Sequence, residues 1–161
     1  MDARLVWDAL GQVPDPEIPV ISVVDLGIVR DVRFEDGACV VTITPTYSGC
    51  PAMQVIAEDV QRVLEQEGIG DVRLETRLSP AWTTDWMSEK GRAALKDYGI
   101  APPMQQAIDI SGLRRGAEVV VPCPRCGSSH TRLVSQFGST SCKALYQCLD
   151  CREPFDYFKC H

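Results

Sequence analysis

Apolar residues recur along the first hundred positions at two different periods, and each change of period marks an element boundary. Leu5, Val6, Ala9 and Leu10, with Asp8 among them, fit one face of a short helix over residues 4–10 that Gly11 and Pro14 stop. Asp15-Pro16-Glu17-Ile18-Pro19 cannot continue it, because each Pro removes a donor and restricts the residue before it. A rigid loop is expected there, running through Val20–Val24 into Asp25-Leu26-Gly27. From Ile28 the period falls to two. Ile28, Val32 and Phe34 alternate with Asp31, Arg33 and Glu35, and Arg30 breaks the pattern. Asp36-Gly37 predicts a two-residue hairpin turn, since both central positions need φ > 0, and residues 38–44 return as a β-branched strand.

Beyond Thr44-Pro45-Thr46-Tyr47-Ser48-Gly49-Cys50-Pro51 the period is helical again. Met53, Ile56, Val60, Val63 and Leu64 form one stripe, with Glu58, Asp59, Arg62 and Glu65 opposite and Gly68 as the stop. Val72, Leu74, Thr76 and Leu78 then alternate inward as a third strand. Helix–strand–strand–helix–strand with a hairpin predicts an α+β fold: a small sheet of about three strands, a β-hairpin plus one strand, covered by helices. Trp82-Thr83-Thr84-Asp85-Trp86-Met87 leads into a further helix, capped at Thr84 or Asp85 and stopped by Gly99. Trp82 and Trp86 read as an aromatic cover over the sheet edge before they read as a docking surface. Ile100-Ala101-Pro102-Pro103 and Ser111–Gly116 have linker composition. The expected layout is a domain over 1–100, a linker over 101–118 and a smaller domain over 119–161.

Composition narrows the function classes. No apolar run among the 161 residues approaches a membrane span, and the first residues lead into a mixed helix rather than a signal peptide, so a cytoplasmic protein is expected. The net charge is −6, of which residues 117–161 carry +1 and the rest −7. An acidic body argues against nucleic-acid binding, which needs a basic surface.

Eight cysteines are unevenly spread: Cys39 and Cys50 early, six from Cys123 onward. Cys123-Pro124-Arg125-Cys126-Gly127 and Cys148-Leu149-Asp150-Cys151 are two C-x-x-C knuckles, a spacing that lets a tight turn aim both sulfurs at one tetrahedral centre. Residues 131–137, 143–147 and 155–158 read as short strands between and after them, the layout of a C-terminal zinc ribbon. So short a segment cannot hold a fold by burial alone. A structural Zn²⁺ on Cys123, Cys126, Cys148 and Cys151 supplies the missing stability; iron suits the same four sulfurs, and spacing does not separate the two metals. Cys142, Cys160, His130 and His161 read as filler, with Cys142 and Cys160 as candidate secondary thiols.

Cys50 stands apart. Pro51 suits the first turn of a helix, so the thiol sits at or next to the N-cap, where unpaired N–H groups and the helix dipole favour a thiolate. The alternative is a small residue filling a turn. No Glu-x-x-His pair, Gly-rich nucleotide loop or Ser–His–Asp set accompanies it, so the sequence favours a non-catalytic role over an enzyme.

Asp15-Pro-Glu-Ile-Pro-Val, Asp25-Leu-Gly-Ile-Val and Thr42-Ile-Thr-Pro-Thr-Tyr-Ser-Gly-Cys50-Pro51 resemble the small α+β domain of iron–sulfur cluster assembly factors, the SufT type, over residues 3–100. Ser79-Pro-Ala-Trp-Thr-Thr-Asp-Trp-Met, Tyr98-Gly-Ile-Ala-Pro-Pro, Phe137-Gly-Ser-Thr-Ser-Cys-Lys-Ala-Leu-Tyr-Gln-Cys148 and Phe155-Asp-Tyr-Phe-Lys-Cys160 extend the resemblance to the PaaD (also PaaJ) family of the bacterial phenylacetate degradation cluster. That resemblance implies a nominal subunit of the oxygenase complex PaaABCE, which epoxidises the ring of phenylacetyl-CoA at a di-iron centre fed by a [2Fe–2S] reductase. It further implies a maturation factor that helps insert iron or an Fe–S cluster, held transiently at Cys50, with Asp25 and Thr44 as the accompanying functional residues. A strand end and a helix start then bring together a carboxylate, a hydroxyl and a thiol. A non-catalytic interaction subunit and a thiol-redox protein acting through Cys50 remain the alternatives, and homodimerisation stays open.

Overall fold

A computed structural model describes residues 2–47, 49–103, 120–140 and 142–158. The chain divides into two compact units, Met1–Ala94 and Leu95–Cys160, and the division falls inside a helix. No described helix is long and apolar enough to cross a membrane.

In the first unit, α1 spans Ala3–Leu10, with the Asp2 side chain accepting from the Arg4 N–H at 3.0 Å as its N-cap. Val6, Ala9 and Leu10 are buried, whereas Leu5 lies off that stripe and is exposed. The proline loop is held from within: the buried Asp15 carboxylate accepts from the Glu17 and Ile18 N–H groups at 2.8 and 2.9 Å. Its Ile18, Ile21, Val23, Leu26 and Ile28 enter the core.

β1 (Val29–Glu35) and β2 (Ala38–Ile43) pair antiparallel through a turn in which Asp36 (φ 50°) and Gly37 (φ 83°) are both left-handed, as the hairpin signal requires. The register passes from Val29↔Ile43 to Asp31↔Thr42, so Arg30 is the extra residue of a bulge. That is why Arg30 breaks the alternation. Phe34, expected inward, lies near the hairpin tip and is 38% exposed. α2 (Ala52–Gln66) buries Ala52, Ile56, Val60 and Leu64, with Met53 and Val63 half-buried on its flanks. Gly68 (φ 84°) ends it: its N–H and that of Ile69 donate to the Glu65 and Leu64 carbonyls. β3 (Val72–Thr76) then pairs parallel to β2, giving the order β1-β2-β3. All six residues of the central β2 are buried. The third strand stops at Thr76, so Leu78, expected inward, is 60% exposed.

Trp82 is buried and its indole N–H donates to the Leu26 carbonyl at 2.9 Å. The sequence expectation for the next helix is corrected: Thr84–Trp86 forms a single 3-10 turn capped by Thr83, and α3 begins only at Glu89. The Ser88 hydroxyl, not Thr84 or Asp85, accepts from the Gly91 N–H at 3.0 Å at its start.

The second unit contains the rest of α3 (Glu89–Tyr98) and a four-stranded sheet. β5 (Thr131–Ser135), β6 (Lys143–Cys148) and β7 (Pro154–Phe158) are the three strands the sequence predicts, in antiparallel array. A fourth, β4 (Ile100–Ala101), pairs parallel with β7 and completes the order β4-β7-β6-β5. Ile100 and Ala101 carry no strand signal in so short a run, and only the pairing partner makes them β. Residues 104–119, most of the expected linker, lie outside the described residues. The core joins Ala101, Val121, Ala144, Tyr146, Phe155 and Tyr157 to Cys123 and Cys148. Tyr146 stacks on Phe155 and meets Tyr157 edge-on.

Candidate functional site

Two tight turns carry the ribbon cysteines. In the first, the Gly127 N–H donates to the Cys123 carbonyl at 2.9 Å, and the Cys123 N–H donates to Ser128 O at 2.8 Å. In the second, the Cys148 N–H donates to Glu153 O at 3.0 Å, and Arg152 takes a left-handed φ of 64°. The turns bring the Sγ atoms of Cys123, Cys126, Cys148 and Cys151 within 4.8 Å of one another. Across the two knuckles, Cys123 and Cys151 are 3.8 Å apart and Cys126 and Cys148 3.5 Å. A tetrahedral ion with metal–sulfur bonds of about 2.3 Å needs sulfurs about 3.8 Å apart, so the donor set fits a thiophilic metal without rearrangement. Four ligands leave no open position, and the ion's chemistry is to hold the two turns together.

Protons resist leaving so crowded a set of sulfurs. Cys148 is the readiest: the N–H of Cys151, opposed by burial and helped by the N–H of Asp150, lowers it to about 7. At Cys151 the Glu153 N–H lowers the thiol, but burial and the three other sulfurs push it up to about 12. Cys126 is also raised: the Ser128 N–H lowers it, and Cys148 and burial outweigh that. A bound cation offsets this repulsion and keeps all four as thiolates. His130 is exposed and is not one of the four; its Nδ1 lies 3.4 Å from Asp150 Oδ1. Cys142 is buried with its sulfur 3.0 Å from the Thr140 hydroxyl, so it is not the exposed thiol that a hand-over of iron would use. Cys160 and His161 lie outside the described residues.

In the first unit Cys50 is half-buried, directly before Pro51, the N-cap of α2. Gly49 (φ 79°) makes the turn that precedes it, and the Cys50 carbonyl accepts from the Met53 N–H at 3.3 Å. The thiol therefore stands at a helix start, as the sequence predicts. Thr44 follows β2, its N–H donating to Ile28 O at 2.8 Å. Its hydroxyl is buried and, among the described residues, is the one buried side-chain N or O atom with no hydrogen-bond partner. Asp25 has other duties. Its carboxylate accepts from the Ser22 and Ser88 hydroxyls at 2.9 and 2.8 Å, with Lys90 Nζ at 3.8 Å. Through Ser88 it steadies the start of α3. Asp25 also lines a cavity of about 170 Å³ with Gly11, Pro19, Ser22 and Lys90, whose wall includes neither Thr44 nor Cys50. No hydrogen bond or ion pair among the described residues joins Asp25, Thr44 and Cys50.

An unpaired buried hydroxyl costs about 1–3 kcal/mol. Thr44→Val, which keeps the shape and removes the hydroxyl, is expected to raise stability by about 1 kcal/mol in urea unfolding followed by circular dichroism. A drop of similar size would mean that the hydroxyl has a partner in the folded protein.

The comparisons with known proteins cover both units. The family described as "PaaD zinc beta ribbon domain" matches residues 109–159, and "Iron-sulfur cluster assembly protein" matches residues 4–75. An Escherichia coli protein named as a 1,2-phenylacetyl-CoA epoxidase component is 48% identical over 155 residues, 96% of this chain and 91% of that one. The chain belongs to the PaaD family. Its PaaD-type ribbon is thus fused to an iron–sulfur assembly domain that also occurs alone. The Staphylococcus aureus "Fe-S protein maturation auxiliary factor SufT" is 41% identical over 83 residues, half of this chain but 93% of that protein. A crystal structure of a domain of unknown function, DUF59, from Bacillus anthracis superposes with a TM-score of 0.54 at 30% identity, covering 57% of this chain and 89% of that one.

Sequence reasoning missed Ser128 and Asp150, which bond to each other between the knuckles. The signal was present: an acidic residue inside one knuckle and a hydroxyl residue directly after the other.

Proposed function

We propose that this chain is an accessory factor of a phenylacetyl-CoA ring-epoxidising oxygenase and assists insertion of iron or an Fe–S cluster into that complex through Cys50. One observation carries this reading. A single chain joins a domain of the iron–sulfur assembly type to a ribbon of the PaaD type, and it matches a relative named as an epoxidase component over nearly its whole length. The division of labour follows from the chemistry. The ribbon's four-thiolate site is closed, and we assign it a structural Zn²⁺. Cys50, outside that site and at a helix start, is free to lose its proton to solvent, donate a sulfur electron pair to incoming iron and release it to a client ligand. Asp25 and Thr44 serve the same unit, Asp25 by fixing the loop against Ser88 and Thr44 by offering its hydroxyl. The reductase and di-iron components of a PaaABCE-type complex are the proposed clients.

The test is the occupancy of the client. Cys50→Ser is expected to leave the fold intact while iron and sulfide per oxygenase complex, measured after co-production with the client proteins, fall by at least half. Full occupancy in a strain carrying only that variant would overturn the proposal.

A further inference from the structure

The two knuckles are linked by more than the metal. The Ser128 hydroxyl, directly after the first knuckle, donates to Asp150 Oδ2 in the middle of the second. Each of these residues also touches a ligand sulfur of its own knuckle through its backbone: the Ser128 N–H bonds Cys126 Sγ, and the Asp150 N–H bonds Cys148 Sγ. Their side-chain bond therefore joins two N–H···S hydrogen bonds across the gap between the turns. His130 closes the arrangement. Its N–H donates to the Ser128 hydroxyl at 3.0 Å, its Nδ1 faces Asp150 Oδ1, and its carbonyl accepts from the Leu149 N–H at 2.8 Å. An N–H that bonds a thiolate stabilises its charge and fixes its direction, as outer-shell partners do at metal sites generally.

We propose that Ser128 and Asp150, oriented by His130, form a clasp across the two knuckles that holds the ribbon's metal in place, so that this ion is resident and never the cargo. The inference does not rest on the Cys50 reading. Ser128 and Asp150 are positioning residues; neither touches the ion. Opening the clasp frees the two turns to swing apart and lets an incoming chelator displace one sulfur at a time.

The test uses the full chain loaded with zinc, with release followed by the chromophoric chelator 4-(2-pyridylazo)resorcinol. Ser128→Ala and Asp150→Ala are each expected to release zinc at least about tenfold faster. Ser128→Thr, which keeps the hydroxyl, is expected to stay within about twofold of the parent. The double variant is expected to be no faster than the faster single one, because either change opens the same clasp. Arg132→Ala, which removes a cross-strand bond to Gln147 on the same sheet, controls for general loosening and is expected to leave release unchanged. Cobalt-loaded samples report whether the four-sulfur coordination survives. If Asp150→Ala no longer gives that spectrum, Asp150→Asn and Ser128→Ala carry the comparison. Parent-like release from both, or equal acceleration by Arg132→Ala, would overturn the clasp.

Discussion

Cys148→Ser, or stripping the metal with a chelator, is expected to unfold the ribbon while the first unit stays folded. Cys148 has no exposed surface, belongs to the core of the second unit and is one of its four ligands. That core holds eight buried residues, two of them ligands, too little to offset the chain entropy of the segment without the ion. A structural Zn²⁺ contributes on the order of 10–16 kcal/mol of apparent binding energy, so its loss exceeds any stability such a segment has alone. The two units can be followed separately because Trp7, Trp82 and Trp86 all lie in the first. Amide resonances of residues 121–158 are expected to collapse to the unfolded range while tryptophan fluorescence keeps its native maximum. Ribbon amides that stay dispersed in excess chelator would show that burial suffices. Acid acts in the same direction, since protons compete with the metal at every sulfur.

Gly27→Ala is expected to destabilise the first unit by about 2–4 kcal/mol. Gly27 has φ +84°, and a Cβ there would lie 2.6 Å from the Trp86 carbonyl oxygen and 2.7 Å from Trp86 Cβ. Backbone cannot yield as a flexible side chain would, so the loop and the 3-10 turn must move apart. That movement would also strain the Trp82–Leu26 hydrogen bond and the Arg30 guanidinium, 3.6 Å over the Trp86 ring. Gly37→Ala is the matched control: φ is +83° but nothing lies within 4 Å of the added methyl. It is expected to cost only the left-handed strain, about 1 kcal/mol. The difference between the two urea midpoints measures the close approach, and equal midpoints would remove it as a cause.

Much of the first unit was legible because its signals are local. Asp36-Gly37 states its own turn, Gly68 its own helix stop, and the i, i+4 spacing of Ile56, Val60 and Leu64 its own buried face. Errors fell where a distant partner decides. Ser88 caps α3 because Asp25, 63 residues away in sequence, holds its hydroxyl; Phe34 and Leu78 obey the strand period but sit where the sheet has run out of cover. In the candidate site, the four metal ligands were readable from spacing alone. Asp25 was readable as important but not as the residue that steadies Ser88.

The sequence by itself determined the two-part architecture, the hairpin, the helix that follows Cys50 and the four-cysteine metal set. Each depends on residues within a few positions of one another, where backbone geometry leaves few choices. Only the tertiary structure decided which residues serve those sites from afar. It paired Ile100–Ala101 with β7, left the Thr44 hydroxyl buried without a partner, committed the Asp25 carboxylate to two serines and joined Ser128 to Asp150 between the knuckles. Such contacts depend on packing and on competition among hydrogen-bond partners far apart in the chain, which residue spacing does not encode.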